Sequence, residues 1–218
     1  MCFRQKIFGI NSKYMVLVPK CDSKELFKGL KLIFENKRRR YMNILTRVGL
    51  ILDYIYDNAH RVITGVPRLG RSKITPNLML GSQYNLWGLK KLKALGVTAI
   101  VNMRVHNDYD DAAHEGIKYL HLPTVDNTPP PLEVLITGAD FIDKEIKNGG
   151  IVYVHCRQGL GRGPTMAMAY LIKTGMSFDE AFETVRKVRI FINPQRSQVE
   201  RLKELESFYK KPPLNLPR

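Results

Sequence analysis

The stretch from Ile151 to Ile172 constrains this 218-residue chain most. Ile151-Val152-Tyr153-Val154 is an unbroken β-branched and aromatic run, the pattern of a buried strand. Thr165 to Ile172 reads as a helix. Between them lies His155-Cys156-Arg157-Gln158-Gly159-Leu160-Gly161-Arg162, so a glycine-containing loop carries the chain from the C-terminal end of a strand to a helix N-terminus. Unpaired N–H groups and the helix dipole make such a junction an anion site. Gly159 and Gly161 permit positive φ, which lets successive N–H groups converge as a nest.

The chain around this unit alternates in the same way. Residues 85–95 read as a helix with Asn85 at the N-cap and Gly96 at the stop. Residues 98–103 and 119–122 read as strands. Residues 132–147 read as a helix closed by Asn148-Gly149-Gly150. Ser177 and Glu180 form a capping box opening a helix over 178–189, and Ser197 with Glu200 suggests another for a last helix reaching about Lys210. Strand–helix alternation predicts an α/β fold with a mostly parallel central sheet and helices on both faces. The loop at 156–162 then sits at the carboxyl end of a strand, where ligands bind in such sheets.

Cys156 and Arg162 give the loop a reaction. A thiol is a weak nucleophile until it ionises, and a helix N-terminus with a nearby cation lowers a cysteine pKa from roughly 8.5 to about 3.5–7.5. Arg162 can offer a planar fork to two phosphate oxygens. Phosphoryl transfer spreads charge over the equatorial oxygens, so a fixed fork plus converging N–H groups supplies most of the catalysis. The thiolate would attack phosphorus and form a cysteinyl phosphate. The leaving oxygen needs a proton, and Asp126, in the Pro-rich segment 122–131, is the best candidate acid. The alternative for Asp126 is a turn-shaping role, since Asp-Asn is good turn chemistry.

The run His155-Cys156 to Arg162 resembles the His-Cys-x5-Arg signature of the cysteine-dependent protein tyrosine phosphatase superfamily. Gly159-Leu160-Gly161-Arg162-Gly163-Pro164-Thr165, followed by Ala169-Tyr170-Leu171, is most similar to the dual-specificity branch. Ser72 to Gly81 is similar to that branch's opening strand segment, and the likeness extends from about Ser72 to Tyr209. It implies a nucleophile at Cys156, a phosphate-binding arginine at Arg162 and a general acid at Asp126. It also implies a substrate-binding loop of His155, Arg157, Gln158, Gly159, Leu160 and Gly161. In some relatives a glutamine after the last-but-one helix positions the hydrolytic water, and Gln198 occupies that region. The run 192–198 resembles the phosphatidylglycerophosphate phosphatase relatives at least as much. Gly163 departs from the family, which usually carries Ser or Thr directly after the arginine. Slower hydrolysis of the intermediate is therefore expected, and Gly163→Ser is expected to speed it.

Four functions compete at this stage. A dual-specificity phosphatase acting on phosphotyrosine and phosphoserine/threonine leads, and a phospholipid phosphatase for phosphatidylglycerophosphate or phosphoinositides follows. A phosphate-binding module without turnover is prompted by Gly163, and an RNA 5′-triphosphatase by charge alone. No aromatic–basic interleaving typical of RNA modules is visible, which disfavours nucleic acid. No cofactor or metal is expected: His106, Asp108, Asp110, Asp111 and His114 match no ligand spacing.

Charge divides the chain. The net charge is +15; residues 1–73 hold 16 Lys/Arg against 5 Asp/Glu, and the remainder 19 against 15. The expected organisation is a basic, partly helical extension over 1–71, a catalytic domain over 72–210 and a tail over 211–218. Two helices are expected in the extension, over 25–34 and 43–56, flanking Lys37-Arg38-Arg39-Arg40. The apolar set Ile44, Val48, Ile51, Leu52 and Ile55 falls at helical spacing, and packing against the catalytic domain is the expected fate. The alternative is peripheral contact with an anionic membrane through residues 24–56. Cys2, Cys21 and Cys156 make no disulfide framework, which suggests a reducing, cytoplasmic compartment. No apolar run approaches the roughly 20 residues of a membrane span.

Overall fold

A computed structural model describes residues 23–109 and 112–210, with side chains from residue 44 onward. Cys2, Cys21, Asp110, Asp111 and the tail 211–218 lie outside the described residues. The chain divides into two units, Met1–Gly49 and Leu50–Arg218.

The first unit carries the start of α1 (Ser23–Thr64), one uninterrupted helix where the sequence predicts two short ones. The cause is local: Glu-Asn-Lys-Arg-Arg-Arg-Tyr-Met between the expected helices contains neither Gly nor Pro, and Lys and Arg are good helix formers. Residues 50–64 of α1 belong to the second unit. The helix closes on Gly65, at φ +84°, whose N–H bonds Arg61 O at 2.8 Å.

The second unit is built on four parallel strands, β1 (Leu78–Gly81), β2 (Val97–Asn102), β3 (Lys118–His121) and β4 (Ile151–His155), in the order β1-β4-β2-β3. Parallel strands cannot be joined by a tight hairpin and need crossovers of about a dozen residues or more, usually helical. Between strands lie α2 (Leu86–Ala94) and α3 (Leu132–Lys147); after β4 come α4 (Arg162–Lys173), α5 (Phe178–Val188) and α6 (Arg196–Lys210). Strand side chains alternate between faces. Leu78, Leu80, Val152, Val154 and Cys156 join the core beneath α3, α4 and α6, while Met79, Ile100 and Tyr153 join the core on the α2 side. The sequence places α4 where the sheet buries it most deeply: every residue from Arg162 to Ile172 is buried.

The caps largely follow the sequence. Asn85 Oδ1 accepts from Gly88 N at 2.9 Å, and Ser177 with Glu180 completes its box. The predicted cap of α6 differs. Arg196 already lies in the helix, so Ser197 does not cap it, and Glu200 pairs with Arg196 at 2.9 Å. The backward reach is made by Gln198, whose Oε1 accepts from Gln195 N at 3.0 Å.

Candidate active site

β4 ends at His155, and the next residue carries the thiol. Sheet alternation therefore sends the two side chains to opposite faces. Cys156, 3% exposed, sits at the floor of the loop, and Gly159 N–H points at its sulfur at 3.2 Å. His155 turns the other way, its ring stacked on Tyr153 at 5.9 Å between centroids and edge-on to Tyr84 at 5.0 Å. It reaches the loop only through Nδ1, 3.3 Å from Cys156 O. Burial pushes its pKa down from 6.5 to about 3, so the ring is neutral.

The loop backbone is turned inside out in an orderly way. Its carbonyls are held from outside: Arg157 O by Gln83 N at 3.1 Å, Gln158 O and Gly159 O by the Arg189 guanidinium at 2.9 and 2.8 Å, and Leu160 O by Asn193 N at 2.9 Å. Because a trans peptide points its C=O and N–H in opposite directions, anchoring the carbonyls outward leaves the N–H groups inward. Gly159 has φ +69°, and a Cβ there would lie 2.7 Å from both Arg189 Nη2 and Gly81 O, so only glycine fits. The side chains of Arg157 and Gln158 are exposed, and Leu160 is half-buried.

Arg162 is 5% exposed and clamped by backbone. Its Nη1 donates to Thr124 O at 2.8 Å and to Met103 O at 3.4 Å. The opposite edge is left for a ligand: Nη2 pairs with Asp126 Oδ1 at 3.0 Å, and buried Nε has no partner among the described residues. An unpartnered guanidinium N–H beside a helix N-terminus whose N-cap, Gly161, makes no side-chain cap is an oxyanion site by donor chemistry. Asp126 reaches it from the loop before α3 and is itself exposed.

Gln198 is fully buried, and its amide lies where a Cβ on Gly161 would meet it at 2.9 Å. Nε2 donates to Thr128 O at 3.0 Å, and Gln195 Nε2 approaches Asn127 Oδ1 at 3.4 Å, so the first turn of α6 and the residue before it hold the Asp126 loop. At Gly163 a Cβ would stand 3.5 Å from Cys156 Sγ and 3.1 Å from Leu80 Cδ1. A serine there would bring its hydroxyl near the sulfur only if the buried Leu80 side chain shifts by a few tenths of an ångström.

Within 106–114, Asp108 pairs with Arg104, and His114 Nε2 meets Tyr84 Oη at 2.7 Å. Sequence reasoning missed Arg189 and Asp57. Arg189 is fully buried, and its Nη2 pairs with Asp57 Oδ2 at 3.1 Å, 132 residues away. The available signal was Asp53 and Asp57, one turn apart on α1, opposite its apolar stripe.

Comparison with known proteins fits this geometry. The family model "Dual specificity phosphatase, catalytic domain" matches residues 78–208. The chain is 36% identical over 140 residues to human (Homo sapiens) dual specificity protein phosphatase 1, covering 63% of this chain and 38% of that protein. Mouse (Mus musculus) dual specificity protein phosphatase 2 is 34% identical over 142 residues, covering 63% of this chain and 43% of that protein. The chain thus spans well under two thirds of the length of these curated relatives. Among solved structures, PTPMT1 aligns at 30% identity with a TM-score of 0.60, covering 63% of this chain and 94% of that one. PTPMT1 in complex with PI(5)P aligns at 31% identity with a TM-score of 0.59, covering 62% and 94%. The chain belongs to the dual-specificity phosphatase catalytic-domain family, a branch of the cysteine-dependent protein tyrosine phosphatase superfamily.

Proposed function

We propose that the protein hydrolyses phosphomonoesters through a cysteinyl phosphate on Cys156. The observation that carries this reading is the Arg162 guanidinium, fixed by two backbone carbonyls through Nη1, with Nε unpartnered among the described residues and Nη2 on the exposed Asp126 carboxylate, on the same loop that aims Gly159 N–H at the Cys156 sulfur. A substrate phosphate displaces the Asp126 carboxylate from that edge and lies between guanidinium and loop N–H groups. The Cys156 thiolate attacks phosphorus, the ester P–O bond breaks, and protonated Asp126 gives its proton to the departing oxygen. Water, oriented by Gln198 and deprotonated by Asp126, then attacks phosphorus. The P–S bond breaks, releasing inorganic phosphate and restoring the thiolate. Arg157, Gln158, Leu160 and Gly161 serve through the loop backbone that binds the phosphate; His155, expected among them, ends β4 and turns its ring to Tyr84 and Tyr153 on the other face.

Relatives named for dual specificity support phosphorylated tyrosine and serine or threonine in proteins as substrates. A phospholipid headgroup is the second reading. The PI(5)P-bound neighbour favours it, and so does α1. That helix presents Ile51, Leu52, Ile55, Val62 and Ile63 to solvent at 55–83% exposure. Its carboxylates Asp53 and Asp57 face inward, where Arg68, Arg71 and Arg189 pair them. Arg47 is exposed on the same helix, and Lys37-Arg38-Arg39-Arg40 precedes it in sequence. An apolar face accompanied by cations suits an anionic bilayer, whereas a second copy would set cation against cation. Among the described residues no helix is long and apolar enough to cross a membrane, so contact would be peripheral, from a reducing cytoplasm that keeps Cys156 a thiol.

Hydrolysis of a small aryl phosphate, compared with Cys156→Ser, tests the reaction. Activity lost in the variant supports it; no activity in the unaltered protein, with phosphate still bound, would leave a binding module. Ranking phosphopeptides against phospholipid vesicles by kcat/KM then separates the two substrate classes.

A further inference from the structure

We infer that Asp57 and Arg189 form a positioning pair that aims the N–H groups of the catalytic loop, so that a residue of α1, outside the 78–208 family match, belongs to the working parts of the site. The inference rests on the catalytic reading above and extends it to residues that touch no substrate.

The geometry carries it. Arg189 Nε donates to Gly159 O at 2.8 Å and Nη2 to Gln158 O at 2.9 Å. Those carbonyls belong to the two peptide units whose N–H groups are Gly159 N and Leu160 N. Pulling both carbonyls outward rotates both N–H groups toward the thiol side, and Gly159 N–H is found on Cys156 Sγ at 3.2 Å. The neighbouring carbonyls, of Arg157 and Leu160, are held by backbone N–H groups; these two central ones depend on one side chain. A planar fork is suited to gripping two successive carbonyls, which an ammonium cannot do in one orientation.

The guanidinium is fully buried, so its charge needs a partner, and Asp57 supplies it at 3.1 Å from a side chain 2% exposed. Asp57 is fixed in turn: Oδ1 accepts from Arg68 N at 3.0 Å. Phe191, beneath the guanidinium at 4.6 Å, and the carbonyl of Arg71 at 3.4 Å complete the seat. The chain from α1 to the sulfur is therefore continuous: carboxylate, guanidinium, two carbonyls, two N–H groups. A pair that only held elements together would have no reason to end on the two peptides that line the cradle.

The test uses the full chain with Asp57→Asn, which keeps shape and removes charge, and with Arg189→Lys, which keeps charge and removes the fork. Three quantities are read at temperatures well below each variant's Tm: kcat/KM on an aryl phosphate, the Kd of tungstate, and the amide resonance of Gly159. Both variants are expected to lose about 10- to 100-fold in kcat/KM, less than the 10²–10³ that removing an oxyanion donor costs, with weaker tungstate binding and a displaced Gly159 resonance. Asp57→Glu is expected to recover part of the loss. A lowered Tm with kcat/KM, tungstate Kd and the Gly159 resonance unchanged would overturn the inference and leave the pair merely structural. Should the unaltered protein fail to hydrolyse any ester, the catalytic reading falls by itself; the Gly159 resonance and tungstate Kd then still decide whether the pair aims the loop.

Discussion

Asp126 and Arg162 share one interaction that substrate must break. The carboxylate occupies the guanidinium edge at 3.0 Å, from a loop that leaves it exposed. In the mechanism proposed above a phosphate takes its place there, and the displaced acid is left beside the leaving group. Asp126→Ala is therefore expected to slow phosphoserine peptides, whose leaving oxygen is poor, by about 10²–10⁴, and a good aryl leaving group by much less. Steady-state kcat on the two substrate types measures this, and equal losses on both would remove Asp126 from the acid role. At this scale the sequence is readable where the chemistry is local. Cys156, Gly159 and Arg162 lie within one loop, and their spacing alone states their relation. Arg189 and Asp57 are not readable, because an arginine at a helix end looks solvated until the fold buries it, and its partner is 132 residues distant.

The strands and most helices follow from period and caps: β4, α3 and the capping box of α5 lie where alternation, Asn-Gly-Gly and Ser-x-x-Glu put them. α1 shows where period fails. It identifies an apolar stripe but not which way the stripe faces, and within the second unit the expected packing of Ile51, Leu52 and Ile55 is reversed: all three are exposed. The reason is electrostatic. Three arginines, Arg68, Arg71 and Arg189, wait on the inner side for Asp53 and Asp57, and nothing in the helix's own sequence announces them. Each of these apolar side chains, if buried in a bilayer interface, would gain roughly 1.5–3 kcal/mol. The double variant Ile51→Glu/Ile55→Glu is expected to lose at least about ten-fold in binding to vesicles of phosphatidylglycerol and phosphatidylcholine. Its aryl phosphatase kcat/KM and its Tm should stay near those of the unaltered protein, since both sites are surface positions. Unchanged sedimentation with vesicles, or a concentration-dependent dimer lost in the variant, would turn this face to a protein partner.

At the scale of the whole molecule, a parallel sheet with a core on each face holds the loop at its carboxyl edge, and stability and site meet at His155. Its pKa of about 3 in the folded protein lies below 6.5 in the unfolded chain, so between those values only the unfolded state takes up the proton. Stability is then fully present above about pH 6.5 and falls as the pH drops through that window, by up to about 1.4 kcal/mol per unit. Urea unfolding at pH 7.5 and 4.5 should show a steeper loss for the unaltered protein than for His155→Gln, by up to about 3 kcal/mol; equal losses would mean the ring is not held neutral. The central claim concerns the sulfur at the floor of the loop, and trapping tests it most directly. Protein quenched during turnover of an aryl phosphate and digested for mass spectrometry should carry one phosphate on the peptide containing Cys156, and none in Cys156→Ser. Phosphate found on another residue, or turnover that proceeds with Cys156 unmodified and replaceable, would contradict the account.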